Sequence, residues 1–487
     1  MRSTKQLLLL LIRHGRYSQR ALIIQFFLIH LSSGAIFVKI AIIGAGLSGL
    51  AVAYYLSKSG EEVTIFEKSD RIGGNAHTLS VQVGDTSLGS NSPNRLRWVD
   101  LGVNDFNAAT YTNIVKMLDL LKVPYAPLED SASFSTHDGS YTYTLDGKEG
   151  TQMPESLRLE YERFKTTAHI DVNNPAYHYH SIAQYLQEKG YSPEFGRYNL
   201  YPRINGMYFV NDMTPEIMPF RGVMNYYGLQ EGFGSQSPKR CYFTEGSSSW
   251  IEALTNAVAA LGTQFRLNTS VSIRAKGDAV VVYTPDGSEV YDAVVMACHA
   301  NTALKLLQGG ITQDMVNVLS AFEYTSSVAV AHTFSPLMPL NKNAWRTYNI
   351  RIHDSAAAQL RPYSISYVCN RHQNDRRNPL YNGYENPEFF VSLNPSTPIP
   401  DQYILRTGEG KQAIAYFYHN VLNQTALIAQ ENLQNIVQGQ NNIFFTGGWT
   451  KGAGLHEECW LSAMSVSERI LKSTALQFNK NHATTSA

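Results

Sequence analysis

The sequence predicts an α/β fold in which a parallel-sheet domain is interleaved along the chain with a second, α+β domain. Three observations carry this. Ile40–Lys68 reads as strand, glycine turn, helix and strand. Asn442–Ile470, near the other end, reads as strand, glycine-rich loop and long helix. The chain has 487 residues, which exceeds one ordinary domain and implies two.

The first stretch is IAIIGAGLSGLAVAYYLSKSGEEVTIFEK. The apolar run Ile40–Ile43 ends at Gly44-Ala45-Gly46-Leu47-Ser48-Gly49. Leu50, Ala53 and Leu56 then recur with helical spacing, and Gly60 ends the helix. A β-rich run, Val63–Phe66, leads to Glu67, an acid about 20 residues past the glycines, as a dinucleotide-binding βαβ unit requires. Gly44 permits the sharp turn, Gly46 lets backbone N–H groups approach a pyrophosphate, and Gly49 lets the helix pack close to the strand. Ala45 and Ser48 belong to the same cofactor-binding turn. The helix N-terminus offers unpaired donors and a positive dipole end to phosphates. The Glu67 carboxylate can accept hydrogen bonds from ribose hydroxyls. A plain glycine-rich turn would not need Glu67 where it falls.

Lys68–Thr78 continues as KSDRIGGNAHT. With Gly44, Gly46, Gly49, Glu67 and Arg71-Ile72-Gly73-Gly74 in place, the sequence resembles the two-dinucleotide-binding-domain flavoproteins of the amine oxidase and phytoene desaturase superfamily. The resemblance implies a Rossmann-type FAD-binding domain interleaved with an α+β substrate domain, and FAD as the cofactor. It lays Gly73-Gly74 against the FAD pyrophosphate and adds Lys68, Arg71 and Asn75 to the cofactor-binding set. An NAD dehydrogenase would not be expected to carry the RIGG element.

Composition bounds the rest. Hydrophobic residues make up 44% of the chain and charged residues 16%, enough apolar surface for a large core. Forty basic and forty acidic residues cancel, so bulk charge gives no argument for nucleic acid or an anionic membrane. Cys241, Cys298, Cys369 and Cys459 match no metal or redox spacing and read as reduced structural thiols. His178-Tyr179-His180 would need a strand to act as a metal pair and has no acidic or cysteine partner nearby, so no metal is expected. Residues 1–37 are expected to lie outside the fold. A true start near Val38 is the first reading of them and a membrane-tethering helix the second, the 21–38 stretch being marginal as a span.

Val99–Val123 holds the Asp100-Leu101-Gly102 turn and an amphipathic helix over Thr112–Leu121. The resemblance implies that Val103 and Asn104 lie near the flavin ring, with Asn107 and Tyr111 behind; a helix-capping loop is the plain alternative. Ser133–Leu145 reads as a hairpin around Asp138-Gly139. Helices are expected at Glu155–Thr166, Ser181–Lys189 and Pro215–Tyr227. Ile204–Tyr227 is dense in Met, Tyr and Phe, including Phe209 and Met213, which suits either an apolar cavity or ordinary core. Strands are expected at Ser270–Arg274, Ala279–Tyr283 and Glu289–Met296, and the resemblance places the adenine at the backbone near Val271. Further strands are expected at Phe322–Phe334, Ile365–Cys369 and Phe389–Leu393, and a surface loop at Arg371–Pro387.

The C-terminal stretch is NIFFTGGWTKGAGLHEECWLSAMSVSERI. In the superfamily it resembles, such a segment closes over the FAD. This implies that Gly447, Gly448 and Trp449 approach the cofactor, and that the last helix points its N-terminus, with His456, at the flavin N1/C2=O edge. The GGW…GLHE form resembles most closely the amine-oxidase-like flavoproteins encoded beside cyclopropane-fatty-acid synthases. Ser462-Ala463 departs from the usual Ser-Gly and puts a methyl group at the helix–cofactor contact. His456 and Glu457 are the candidate catalytic residues, a helix cap being the even-handed alternative.

The functional expectation is an FAD-dependent oxidoreductase of the amine oxidase or desaturase kind. It would dehydrogenate an apolar small molecule, a fatty acyl chain among the candidates, with hydride passing to flavin N5. The electron acceptor stays open, as do an amine oxidase with Trp449 in an aromatic cage and a non-catalytic escort protein. The location is expected to be cytoplasmic, with membrane association through residues 1–37 as the variant. The FAD domain would collect 38–110, 235–310 and 415–475, the substrate domain 111–234 and 311–414, and a tail 476–487.

Overall fold

The computed structural model describes residues 38–84, 96–128, 131–148, 151–208, 215–232, 237–353, 362–373 and 388–484. The 1–37 extension, Phe209, Met213 and most of the Arg371–Pro387 loop lie outside the described residues. Residues 39–472 form one compact unit; Val38 and the end of the last helix, from Ser473, fall outside it.

A five-stranded parallel sheet holds the N-terminal motif. Its strand order is Gln264–Arg266, Glu62–Phe66, Lys39–Ile43, Ala293–Met296 and Ile443–Phe445. Ile40, Ala41 and Ile42 are fully buried, as expected of a central strand covered on both faces. The helix Leu47–Lys58 leaves the end of this strand and buries Leu50, Ala51, Val52, Ala53 and Leu56. The two chain-end motifs thus meet in one sheet, because Ile443–Phe445 pairs in parallel with Ala293–Met296.

A seven-stranded sheet forms the other wall, in the order 414–420, 324–332, 390–393, 363–368, 348–352, 132–136 and 142–144. All its pairings are antiparallel except that of 348–352 with 132–136. The strand Ile414–Asn420 pairs here with 324–332. The return of the chain to the parallel sheet therefore falls after Asn420, not at 415.

Several boundaries differ from expectation for local reasons. The run Glu289–Met296 is two strands, Gly287–Tyr291 and Ala293–Met296, which join different sheets at the bend around Asp292. Asp292 holds that bend by accepting a hydrogen bond from the Lys39 amide at 2.7 Å. The Glu155 helix runs on to Asp171. The Pro215–Tyr227 segment is a short 3-10 turn, Pro215–Ile217, followed by a helix at Phe220–Gln230, since Pro219 cannot continue a helix. The last helix spans His456–Thr484 and so includes most of the expected tail. No helix of the described residues is long and apolar enough to cross a membrane.

Candidate active site

The glycine turn after Lys39–Ile43 is built by close backbone approach. Gly44 has φ +114°, and a Cβ there would stand 2.6 Å from the Ala297 carbonyl oxygen. A Cβ at Gly49 would collide with the Gly44 carbonyl oxygen, so the helix lies against its own entry turn. Gly46 caps the helix with no side-chain hydrogen bond, and no acid occupies the first turn. Among the described residues, the start of that helix therefore has no side-chain cap, as an anion site requires. The second glycine pair closes on the first. The Gly73 amide donates to the Ala45 carbonyl at 2.9 Å, and a Cβ on Gly74 would come within 3.3 Å of Gly46 Cα. Arg71 fixes this loop by donating to the carbonyls of Ala76 at 2.8 Å and Gly74 at 2.6 Å.

Glu67 ends the second strand and ties the turn to it. One carboxylate oxygen accepts from the Ala45 amide at 2.9 Å, and the other accepts from Ser69 N at 3.0 Å and Ser69 Oγ at 2.9 Å. Lys68 beside it is exposed, and Ser48 is buried at the start of the helix. The segment leading to Val271 lies alongside: Thr269 N donates to the Glu67 carbonyl at 2.9 Å and Asn268 N to that of Ser69 at 3.0 Å. The side chain of Val271 itself packs into the core with Phe66 and Val294. An uncapped helix start, a glycine cradle that any Cβ would fill and an acid at the strand end fit the pyrophosphate and ribose of a dinucleotide.

The Asp100-Leu101-Gly102 turn packs on the same loop. A Cβ at Gly102 would collide with the Asn75 carbonyl oxygen, and Val103 N donates to that oxygen at 3.2 Å. Asn75, Gly102, Val103 and Asn104 line one cavity. Asp100 turns the other way. Its buried carboxylate accepts from Ser247 N at 3.0 Å and Ser247 Oγ at 2.8 Å, capping the Ser247–Ala260 helix.

The C-terminal loop closes in the same fashion. Gly447 has φ +139°, and a Cβ at Gly448 would stand 3.2 Å from Gly454 Cα. Gln430 braces the loop through its amide, donating to Gly452 O at 2.8 Å and Trp449 O at 3.0 Å and accepting from Gly452 N at 3.1 Å. Ser462 is hydrogen-bonded to Thr450 at 2.6 Å and Thr446 at 3.0 Å, and the Ala463 methyl beside it is fully buried. Trp449 corrects an expectation. Its indole donates to Cys298 O at 2.8 Å and packs on Phe322 and Phe445 in the core, so it is not a wall of the cavity and forms no aromatic cage there.

His456, Glu457 and Glu458 open the last helix and have three different fates. His456 lines the cavity, and burial lowers its imidazole to about 4, so the ring is neutral at ordinary pH. Glu457 does not line the cavity. Its carboxylate accepts from Asn113 Nδ2 at 2.6 Å, Asn113 N at 3.1 Å and Ile114 N at 3.0 Å, which caps the Thr112–Leu121 helix. Of the two alternatives for Glu457, catalysis and a helix cap, these bonds favour a cap, and of the Thr112–Leu121 helix rather than its own: both oxygens are engaged by that helix terminus. Glu458, which the sequence reading passed over, accepts from the amides of Ala453, Gly454 and Leu455 at 3.0–3.1 Å. Its only sequence signal was position, one residue past the expected pair.

Burial pushes the Glu458 carboxyl up to about 7 against the pull of those three amides. The folded protein then holds a proton that the unfolded chain releases near pH 4.5. The stability from this group is present below that pH and is lost as pH rises towards about 7. We expect the thermal midpoint of wild type to fall relative to that of Glu458→Gln over this window as the pH is raised, because the amide does not titrate. A difference independent of pH would show that Glu458 is ionised throughout.

The cavity has a volume of about 640 Å³. One wall is Asn75, Gly102, Val103, Asn104 and the 453–456 loop; the other is formed by Phe134, Ile350, Ile365 and Leu393 of the seven-stranded sheet. Tyr111, Tyr161, Tyr226, Tyr348 and Tyr367 also face it. Of the soft residues of 204–227, read as either cavity or ordinary core, Tyr226 lines it, whereas Met218, Phe220, Met224 and Tyr227 pack in the helical core. Asp105 and Glu231 line it as well, half-buried, and are both held by Arg240, at 3.2 Å and 2.5 Å. His180 pairs with Glu188 at 2.9 Å, and among the described residues no group of three His, Cys, Asp or Glu is placed to hold a metal. None of the four cysteines is joined in a disulfide among the described residues.

A glycine cradle under one sheet and a large cavity against a second sheet define the class of two-domain, FAD-dependent oxidoreductases. Residues 47–385 match the family described as flavin containing amine oxidoreductase, and the chain belongs to that family, whose cofactor is FAD. A 4,4'-diapophytoene desaturase (4,4'-diaponeurosporene-forming) of Staphylococcus aureus (strain Newman) is 30% identical over 169 residues, 34% of this chain and 31% of the desaturase. That match therefore spans about a third of the relative's own length. Among solved structures, the CLA-producing fatty acid isomerase from P. acnes superposes with TM-score 0.59 at 16% identity, covering 88% of this chain and 98% of its own. Wild-type putrescine oxidase bound to putrescine superposes with TM-score 0.61 at 13% identity, covering 90% and 99%. At such identities the likeness is one of fold.

Proposed function

We propose that this protein catalyses the two-electron dehydrogenation of an apolar small molecule, with a fatty acyl chain foremost among the candidates. The observation that carries the reading is the single cavity shared by the 453–456 loop, the Asn75–Gly102 contact and an aliphatic and aromatic wall. Bound FAD supplies the two-electron acceptor. The residues that would hold it are Glu67, the 44–49 turn, Gly73-Gly74 and the loop around Gly447-Gly448. The apolar wall orients the chain and excludes water. His456 closes the flavin-side wall as a neutral ring at the positive end of the last helix, so the helix terminus rather than an imidazolium supplies charge stabilisation there. The reading also places the protein in the cytoplasm, with residues 1–37 as a route to a membrane surface and the electron acceptor as a separate partner. The narrower likeness to flavoproteins encoded beside cyclopropane-fatty-acid synthases belongs to the same proposal.

The amine oxidase alternative has the five tyrosines in its favour. Against it, the carboxylates it would set opposite an ammonium, Asp105 and Glu231, are already paired with Arg240. The escort alternative leaves the uncapped helix and glycine cradle without a use.

The test is to purify the protein, identify the cofactor released on denaturation, and screen apolar acids and amines anaerobically for bleaching of the flavin absorbance. A colourless protein that cannot be reconstituted with FAD would overturn the reading. Within this reading, His456→Ala should slow flavin bleaching by less than about 100-fold, because a neutral side chain forgoes less than the roughly 2.7 kcal/mol that two decades of rate represent. Complete loss of bleaching with FAD bound and the fold intact would make His456 the principal catalytic group.

A further inference from the structure

We infer that the cavity takes a substrate with a carboxylate head and an apolar tail, and that Arg203 receives the head. The inference rests on the proposal that this cavity is the substrate chamber. Arg203 stands on the Tyr201–Tyr208 helix, lines the cavity and is 7% exposed. Its Nε and Nη2 are buried and have no hydrogen-bond partner among the described residues. What surrounds the guanidinium is aromatic: it lies 4.4 Å from the Tyr161 ring centre and 5.1 Å from that of Phe134. Ring faces attract a cation, but they return only part of what it loses on leaving water and leave its N–H donors unsatisfied. A buried guanidinium of this kind is short of an anion.

Four of the other charges on the cavity wall, Arg240, Asp105, Glu231 and Arg158, are already matched. Arg240 holds Asp105 and Glu231, and Glu231 is the carboxylate whose field reaches Arg203. Arg158 is bound by Glu155 and Glu162. Lys165, half-buried and also on the wall, lies 6.0 Å from the same Tyr161 ring and forms no ion pair among the described residues. Two cations thus flank one tyrosine, whose hydroxyl is hydrogen-bonded to that of Tyr227 at 2.6 Å. The guanidinium fork matches a carboxylate bidentately. Phe134, Ile350, Ile365 and Leu393 line the same chamber and suit an aliphatic tail. A head fixed at Arg203 sets which carbons of the tail reach the 453–456 wall, so chain position is selected by distance from the carboxylate. An ammonium head would meet an unmatched cation instead.

The test measures binding to the FAD-loaded protein by tryptophan fluorescence, using oleate, methyl oleate and oleylamine below their aggregation concentrations. Wild type should prefer oleate over methyl oleate by about 10- to 100-fold, as for a charge-assisted hydrogen-bonded pair. Arg203→Met, which keeps the apolar stem, should abolish that preference while leaving methyl oleate binding within about threefold, since the tail contacts are unchanged. The ligand-free Arg203→Met protein should unfold at or above the wild-type midpoint, because an unsatisfied charge has been removed; a purely structural arginine would lower it. Equal binding of oleate and methyl oleate by wild type, or an unchanged oleate preference in Arg203→Met, overturns the inference. Oleate held through Arg203 with no bleaching by any acid would uphold the carboxylate site and defeat the dehydrogenation reading. Bleaching by an uncharged apolar compound with no preference for oleate would do the reverse.

Discussion

Replacing Glu67 by alanine is expected to weaken FAD binding by about 10- to 150-fold, the range for a lost hydrogen bond to a charged group of about 1.5–3 kcal/mol. Two losses combine. The ribose loses its acceptor, and the glycine turn loses the bond from the Ala45 amide that fixes it to the end of the second strand. Ser69 loses its partner as well, which loosens the approach to the Gly73-Gly74 loop. Glu67→Gln keeps one acceptor oxygen and should fall between wild type and alanine. The check is a fluorescence-quenching titration of apoprotein with FAD. Unchanged affinity in the alanine variant would mean that Glu67 serves the turn alone and does not hold the ribose.

Glu457→Ala should cost stability more than chemistry. The carboxylate is 3% exposed and caps the Thr112–Leu121 helix from a position 344 residues away in sequence. Tyr111, at the start of that helix, offers no side-chain cap of its own. Removing Glu457 leaves the amide donors of half-buried Asn113 and buried Ile114 without that acceptor, and about 2–4 kcal/mol is expected from the lost cap and the lost charge-assisted bonds together. Glu457→Gln retains an acceptor and should recover part of this. Denaturant unfolding of the two variants, beside anaerobic flavin bleaching, separates the roles. Bleaching abolished at unchanged stability would make Glu457 a catalytic residue rather than a cap.

The sequence by itself determined the cofactor end of this protein. Gly44, Gly46, Gly49 and Glu67 answer local demands: a positive φ, a close backbone approach, an acid at a strand end. They fall within one short stretch of chain, so spacing suffices to read them, although the carbonyl that excludes a Cβ at Gly44 belongs to the distant Ala297. The strand Ile443–Phe445 and the helix Thr112–Leu121 were legible for the same reason, because an apolar run or a helical period is written in contiguous residues. Tertiary structure alone decided what each buried polar group meets. Glu457 and Glu458 are adjacent and alike in sequence, yet one caps a distant helix and the other gathers its own preceding loop. Trp449 follows the closing glycines but turns into the core. Arg203 is an ordinary helix residue by sequence. Its lack of an anion among the described residues follows from which side chains the helix and the seven-stranded sheet bring to the cavity, and those lie far apart along the chain. Burial makes such pairings costly to leave unmet, and only the packed fold fixes where they fall.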